Sequence, residues 1–224
     1  MMQPEKQLTE KESLDLIAQM INKAKDACHD TGVSAIMWGI VITVCSVVRL
    51  SELQFRYELP FDIYWLTLAA VIPQIYFSIK QKRERKVKVY GEAFFDYLWV
   101  AFGICMFLVS YSTGFIEDSL EQMIKQNATN VAQPSTFVFY EYISSFYLLL
   151  YGLPTFVSGV AMKFKPMLFG GLFCWICSIV TLYTPIKMDL ILTGLSAIFA
   201  WLIPGIIMEK DYRKAKQGLA AANV

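Results

Sequence analysis

The sequence has a single histidine, His29, and charged residues fill only 17% of its 224 positions. No Walker loop, H-E-x-x-H, G-x-S-x-G or dinucleotide-binding glycine pattern occurs in it, which removes the usual motif grounds for phosphate, zinc-protease, serine-hydrolase and nicotinamide chemistry. With one histidine and no dense pair of carboxylates in its apolar stretches, catalysis has few possible players. No enzyme activity, cofactor or metal is therefore expected. The net charge of +1 gives no basic face for direct nucleic-acid binding. The five cysteines (Cys28, Cys45, Cys105, Cys174, Cys177) are odd in number and lack framework spacing, so they read as reduced, small, buried hydrophobes. Cys174-Trp175-Ile176-Cys177 has the C-x-x-C spacing of redox enzymes, but it lies in an apolar run with no βαβ context. The first 31 residues are highly charged and contain no apolar core of a signal peptide, so no cleavable signal is expected.

What the chain does have is hydrophobicity: 56% apolar and 15% aromatic residues, above the roughly 45–50% apolar content of soluble domains. The pattern predicts an all-α polytopic membrane protein. Six spans are expected at 33–50, 61–79, 94–113, 142–162, 167–184 and 189–208, each near the roughly 20 residues that cross about 30 Å of hydrocarbon. They pair as three hairpins. The basic segments KQKRERKVK (80–88), KFKP (163–166) and the tail from Glu209 alternate with neutral or acidic segments at 51–60, 114–136 and 185–188. The positive-inside rule then puts both termini of this multi-pass protein in the cytoplasm. Tyr57, Trp65, Tyr97, Trp99 and Tyr183 sit near span ends, as interfacial aromatics do. The long outer segment 114–136 reads as a loop in which SLEQMIKQ makes a short surface helix. Its Asn127-Ala128-Thr129 fits a glycosylation acceptor or a chance match. Three regions result: a cytoplasmic segment 1–31, a transmembrane unit 32–208 and a basic tail 209–224.

The second helix of each hairpin carries an aliphatic-proline pair ending in Pro73, Pro154 or Pro204. The next basic residue follows 7, 9 and 6 positions later, which puts all three prolines at one depth. Cys45-Ser46-Val47-Val48 also resembles Cys177-Ser178-Ile179-Val180, so hairpins one and three read either as a repeat or as a chance recurrence of apolar words. Each proline removes an N–H from its helix and displaces the carbonyl four residues earlier: Ala69, Leu150 and Ala200. In hydrocarbon each of these carbonyls needs another partner.

Polar side chains in the same half are Gln74, Asp96, Thr155 and Ser158, the candidate ligand-binding set. They could line a cavity. Alternatively, Asp96 pairs with Lys86 or Lys88 at the interface, while the other three bridge helices. At the opposite end Arg49, Asp62 and Glu141 could form an ion-pair cluster, or each could snorkel alone. Thr155-x-x-x-Gly159 and Ser196-x-x-x-Ala200 permit close helix approach.

Residues 9–31 read as an amphipathic helix. Thr9 with Glu12 matches a capping box, and Leu14, Ile17, Ile21, Ala24 and Cys28 form an apolar stripe. This helix could lie on the membrane, pack under the bundle, or dock on another protein; its excess of acids over lysines argues against attraction to anionic lipid. ESLDLIAQMINKAK leading into MWG, then YLWVAFGI, PTFVSGVAMKFKPMLFGG and WLIPGIIMEK, resemble in order a family of uncharacterised six-span inner-membrane proteins of Gram-negative bacteria. The resemblance implies no activity. It implies a gene neighbour encoding a small winged-helix DNA-binding protein, and hence a regulatory role at the membrane. The expected function is a non-enzymatic membrane sensor or scaffold acting through its cytoplasmic face. Its expected partners are membrane lipids, a cytoplasmic protein on residues 9–31 and a second copy of the chain. The runner-up is a carrier of a small solute or lipid, using a cavity in the cytoplasmic half.

Overall fold

The computed structural model describes residues 31–57, 59–84, 92–127 and 142–222. Residues 9–30 of the expected amphipathic helix, with Cys28 and His29, and also Glu141 and the loop residues 128–136, lie outside them. The described residues form helices and turns with no strand among them. In chain order the helices are α1 (Val33–Phe55), α2 (Trp65–Glu84), α3 (Glu92–Asn127), α4 (Ile143–Ala161), α5 (Lys165–Val180), α6 (Ile186–Ala197) and α7 (Ile203–Ala222). A π-wound segment, Ile198–Leu202, joins α6 to α7 without a break. Four helical stretches are long and apolar enough to cross a membrane: Val33–Phe55, Phe94–Leu120, Ile143–Ala161 and Ile186–Lys214. Helix α5 is apolar but shorter, and the apolar part of α2 ends at Ile79, ahead of Lys80.

Several expected boundaries move; the fifth span, expected to reach 184, ends as helix at Val180. The second span starts at Trp65 rather than residue 61, because Asp62 holds a turn: its Oδ1 accepts the Tyr64 N–H at 2.9 Å and its carbonyl accepts the Trp65 N–H. The loop expected at 114–118 is helix, continuous with the helix expected for SLEQMIKQ (119–126). Helix α3 continues unbroken to Asn127, since nothing in SLEQMIKQN stops a helix and Glu, Gln, Met and Lys are good helix formers.

The core is built by α1, α4, α5 and the α6–α7 rod, with α2 laid against α1 and α3 against α4. Helix α1 runs antiparallel to the rod. Lys187 Nζ donates to Gln54 Oε1 at one end (2.9 Å), Ser46 meets Gly194 midway, and Ile36 meets Gly205 at the other. Lipid supplies no hydrophobic drive between apolar helices, so close contact between small residues has to do that work. Gly159 of α4 packs on the backbone of Leu168, and Gly171 of α5 lies so near Phe156 that a methyl there would sit 2.7 Å from its nitrogen. Gly170, its neighbour, faces the other way, onto Ala200 of the π segment. Helix α5 is thereby wedged between α4 and the rod. The turn from α4 to α5 is tight: Phe164 N–H reaches back to the Gly159 carbonyl (2.8 Å), and Lys163 takes the left-handed conformation, φ 54°, where glycine is usual.

Candidate functional site: the polar and aromatic centre of the bundle

The four candidate residues do not share one pocket lining. Thr155 and Ser158 lie one turn apart on α4 and are fully buried. Thr155 Oγ1 donates to the Tyr151 carbonyl (2.7 Å) and accepts the indole N–H of Trp201 (2.9 Å). The Ser158 hydroxyl has no hydrogen-bond partner. Gln74 is half-buried on α2; its Oε1 accepts the Trp38 indole N–H (3.2 Å) and its amide donates to Ser78 (3.3 Å). These bonds tie α2 to α1. Asp96 is exposed on α3.

Trp201 is the centre of an aromatic group that draws on three elements. Its ring lies 4.8 Å from Tyr151 of α4, and 6.4 and 6.2 Å from Trp99 and Phe102 of α3, centroid to centroid. Edge-to-face and tilted pairs at these distances contribute about 0.5–1.5 kcal/mol each beyond their buried area. The packed core around them includes Ile42, Leu148, Cys174, Cys177, Ala197 and Ala200. A shallow groove of about 80 Å³ opens beside Phe102, between Ala101, Phe102 and Cys105 of α3 and Leu150, Leu153 and Pro154 of α4. It is apolar, and none of the four candidates lines it. Cys105, expected to be buried, is exposed there, because α3 packs along one side only; Cys45, Cys174 and Cys177 are buried as free thiols.

The prolines are handled unequally. Pro154 and Pro204 are fully buried, while Pro73 is half-buried. Thr155 bonds the Tyr151 carbonyl, not that of Leu150, which Pro154 displaces. Ahead of Pro204 the helix widens into the π segment, so that Ile203 N–H reaches the Ile198 carbonyl, five residues back.

Other buried polar residues carry weaker sequence signals. The Ser145 and Ser178 hydroxyls lie 3.0 Å apart, and each is also within hydrogen-bond reach of the other's carbonyl (2.7 and 2.8 Å), so their two protons are shared among these acceptors and lock α4 to α5. Asp189 is fully buried in the first turn of α6. Its Oδ1 accepts the Thr184 hydroxyl at 2.5 Å, and a helix N-terminus favours its charge. Thr-Pro-x-x-x-Asp at the start of a span was the available clue. Arg49 bonds Glu52 at 2.9 Å, and Asp62 instead caps its own turn. Glu52 also accepts the Leu59 N–H (3.1 Å), pinning the turn between α1 and α2. Among the described residues no three His, Cys, Asp or Glu side chains gather as a metal would require.

No protein-family model, curated protein or solved structure matches the chain.

Proposed function

We propose that the chain is a six-span protein of a bacterial inner membrane, with both termini in the cytoplasm. It works without catalysing a reaction, as a sensor or scaffold acting through its cytoplasmic face. The observation that carries this reading is where the polar side chains of the core point. Thr155 and Trp201, Gln74 and Trp38, and Ser145 and Ser178 bond across helix contacts, as a structural bundle requires. Their groups are engaged with one another rather than presented to a solute. In this reading the four long apolar helices are joined as spans by α2, whose apolar part is short, and by the 16-residue α5, and the alternation of basic segments supports the orientation.

The working surface in this reading is the cytoplasmic end, where the amphipathic sequence pattern of residues 9–31 suits docking of a soluble protein. By the resemblance noted above, a winged-helix regulator is the partner class. The apolar groove beside Pro154 favours one alternative, a lipid carrier, since an acyl chain is what such a groove would hold.

The test is native mass spectrometry of the full chain and of a variant lacking residues 1–30, each released from its own membrane. A soluble protein that stays with the full chain and leaves the truncated one supports docking. Partner contacts unchanged by the truncation reject it. A bound lipid lost on Leu153→Trp favours the carrier.

A further inference from the structure

The α6–α7 rod changes its winding where the bundle is most tightly packed. A π turn holds one residue more than an α turn, and such turns concentrate at functional positions. Each residue of an α-helix adds about 100° and 1.5 Å. If the surplus residue of Ile198–Leu202 were wound into α geometry, α7 would rotate by about 100° relative to α6 and advance by about 1.5 Å.

Both sides of this segment are keyed to glycines. On one side a methyl on Gly170 would lie 2.6 Å from the Ala200 Cα and 2.8 Å from the Phe199 carbonyl oxygen. On the other side Gly205 sits against the backbone of α1, where a methyl would lie 2.8 Å from the Ile36 nitrogen. Glu209 stands one turn on, its nitrogen 2.9 Å from where a methyl on Gly32 would be. A one-residue rotation carries Pro204 into the place of Gly205 and Met208 into that of Glu209. The seat on α1 has no room even for a Cβ, so it cannot take the proline ring. Helix α7 would have to part from α1 near Gly32. Packed interfaces of this kind have discrete arrangements rather than a continuum.

We infer that Ile198–Leu202 is a register switch. In the π-wound state seen here α7 is seated on α1. In an α-wound state α7 leaves α1 at the Gly32 end, from which residues 1–31 extend. Trp201, inside the segment, ties it to α3 and α4, so a displacement of either helix acts directly on the π turn. The regulatory purpose rests on the sensor reading, but the switch is read without any partner. A rigid segment would end this inference and leave docking to its own test.

The experiment uses the full chain in lipid nanodiscs, labelled with 5-fluorotryptophan and observed by fluorine NMR. Trp201 is assigned by Trp201→Phe. Trp175, which stacks on Phe156 and donates to the Leu149 carbonyl (3.2 Å), is the internal control. The expected result is microsecond-to-millisecond exchange at Trp201 and none at Trp175. Pro204→Ala, which restores the N–H an α turn needs, should raise the minor population at least threefold. Gly205→Ala, which crowds the closed seat, should move it the same way, and either variant alone suffices if the other fails to fold. Absence of exchange at Trp201, equal exchange at both tryptophans, or exchange indifferent to both substitutions would each overturn the switch.

Discussion

Replacing Gly170 by alanine tests whether small residues hold this bundle together. The new methyl would lie 2.6 Å from the Ala200 Cα and 2.8 Å from the Phe199 carbonyl oxygen. Carbon atoms in contact prefer about 3.5–4.0 Å, so two backbones must separate by roughly 1 Å. Overpacking of this kind costs about 1–3 kcal/mol, and the obstructing atoms here are main chain, which yields less readily than a side-chain tip. Alanine recovers about 0.5–1 kcal/mol through its better helix propensity. The net expectation is a loss of about 1–2 kcal/mol. Gly103→Ala on α3 is the control, since nothing lies within 4 Å of its added methyl; it should gain about 0.5–1 kcal/mol. Both are measured by SDS titration of the folded protein in mixed micelles, followed by tryptophan fluorescence. If Gly170→Ala proves as stable as Gly103→Ala, the wedge of α5 between α4 and the rod is not what holds the core.

Two further outcomes follow from the same titration. Ser145→Ala and Ser178→Ala should each cost about 0.5–1.5 kcal/mol, the range of interhelical hydrogen bonds in membranes; the double variant should cost less than their sum, because it leaves no orphaned hydroxyl. Strict additivity would mean the two hydroxyls do not interact. Lys163→Gly should gain about 0.5–1 kcal/mol, because it relieves a left-handed residue at the end of α4 that costs a non-glycine about 1–2 kcal/mol. A loss would mean that the lysine side chain, not its backbone, matters at that turn.

Much of the helix inventory was legible because long apolar runs separated by charge leave little choice of structure. Each of the six expected spans overlaps a helix, although those at 61–79, 142–162 and 167–184 overrun its ends, and only four stretches meet the length and apolarity of a crossing helix on their own. The misreading was at 114–118, where a break was expected between the third span and the SLEQMIKQ helix; nothing there stops a helix, and α3 runs through into that stretch. Thr155 was legible because it follows a proline. Its partner Trp201 was not, since a contact between residues 46 positions apart leaves no local pattern. Pro204 announced a disturbed helix, but whether such a helix kinks, or widens into a π turn, depends on neighbours such as Gly170. Asp189 and Glu52 were not singled out in the sequence, and only the assembled bundle shows them buried. Asp96 carries a span-like context in sequence and an exposed place in the fold, because α3 touches the bundle through one narrow face.

That narrow attachment has a mechanical consequence. Helix α3 has 36 residues, so it is about 54 Å long, against about 30 Å of hydrocarbon. It is braced by α4 and by the Trp99–Phe102 contact with Trp201 near its start, and its far end stands beyond that bracing. The Ser110–Tyr147 hydroxyl pair, 2.9 Å apart, holds the helix again halfway along. Were that bond to give and α3 to tilt by 10° about its start, its far end would sweep through about 9 Å while Trp99 and Phe102, roughly a fifth of the way along, moved by about 2 Å. Motion at the far end would thus reach the centre of the bundle reduced about fivefold, and its force enlarged to match.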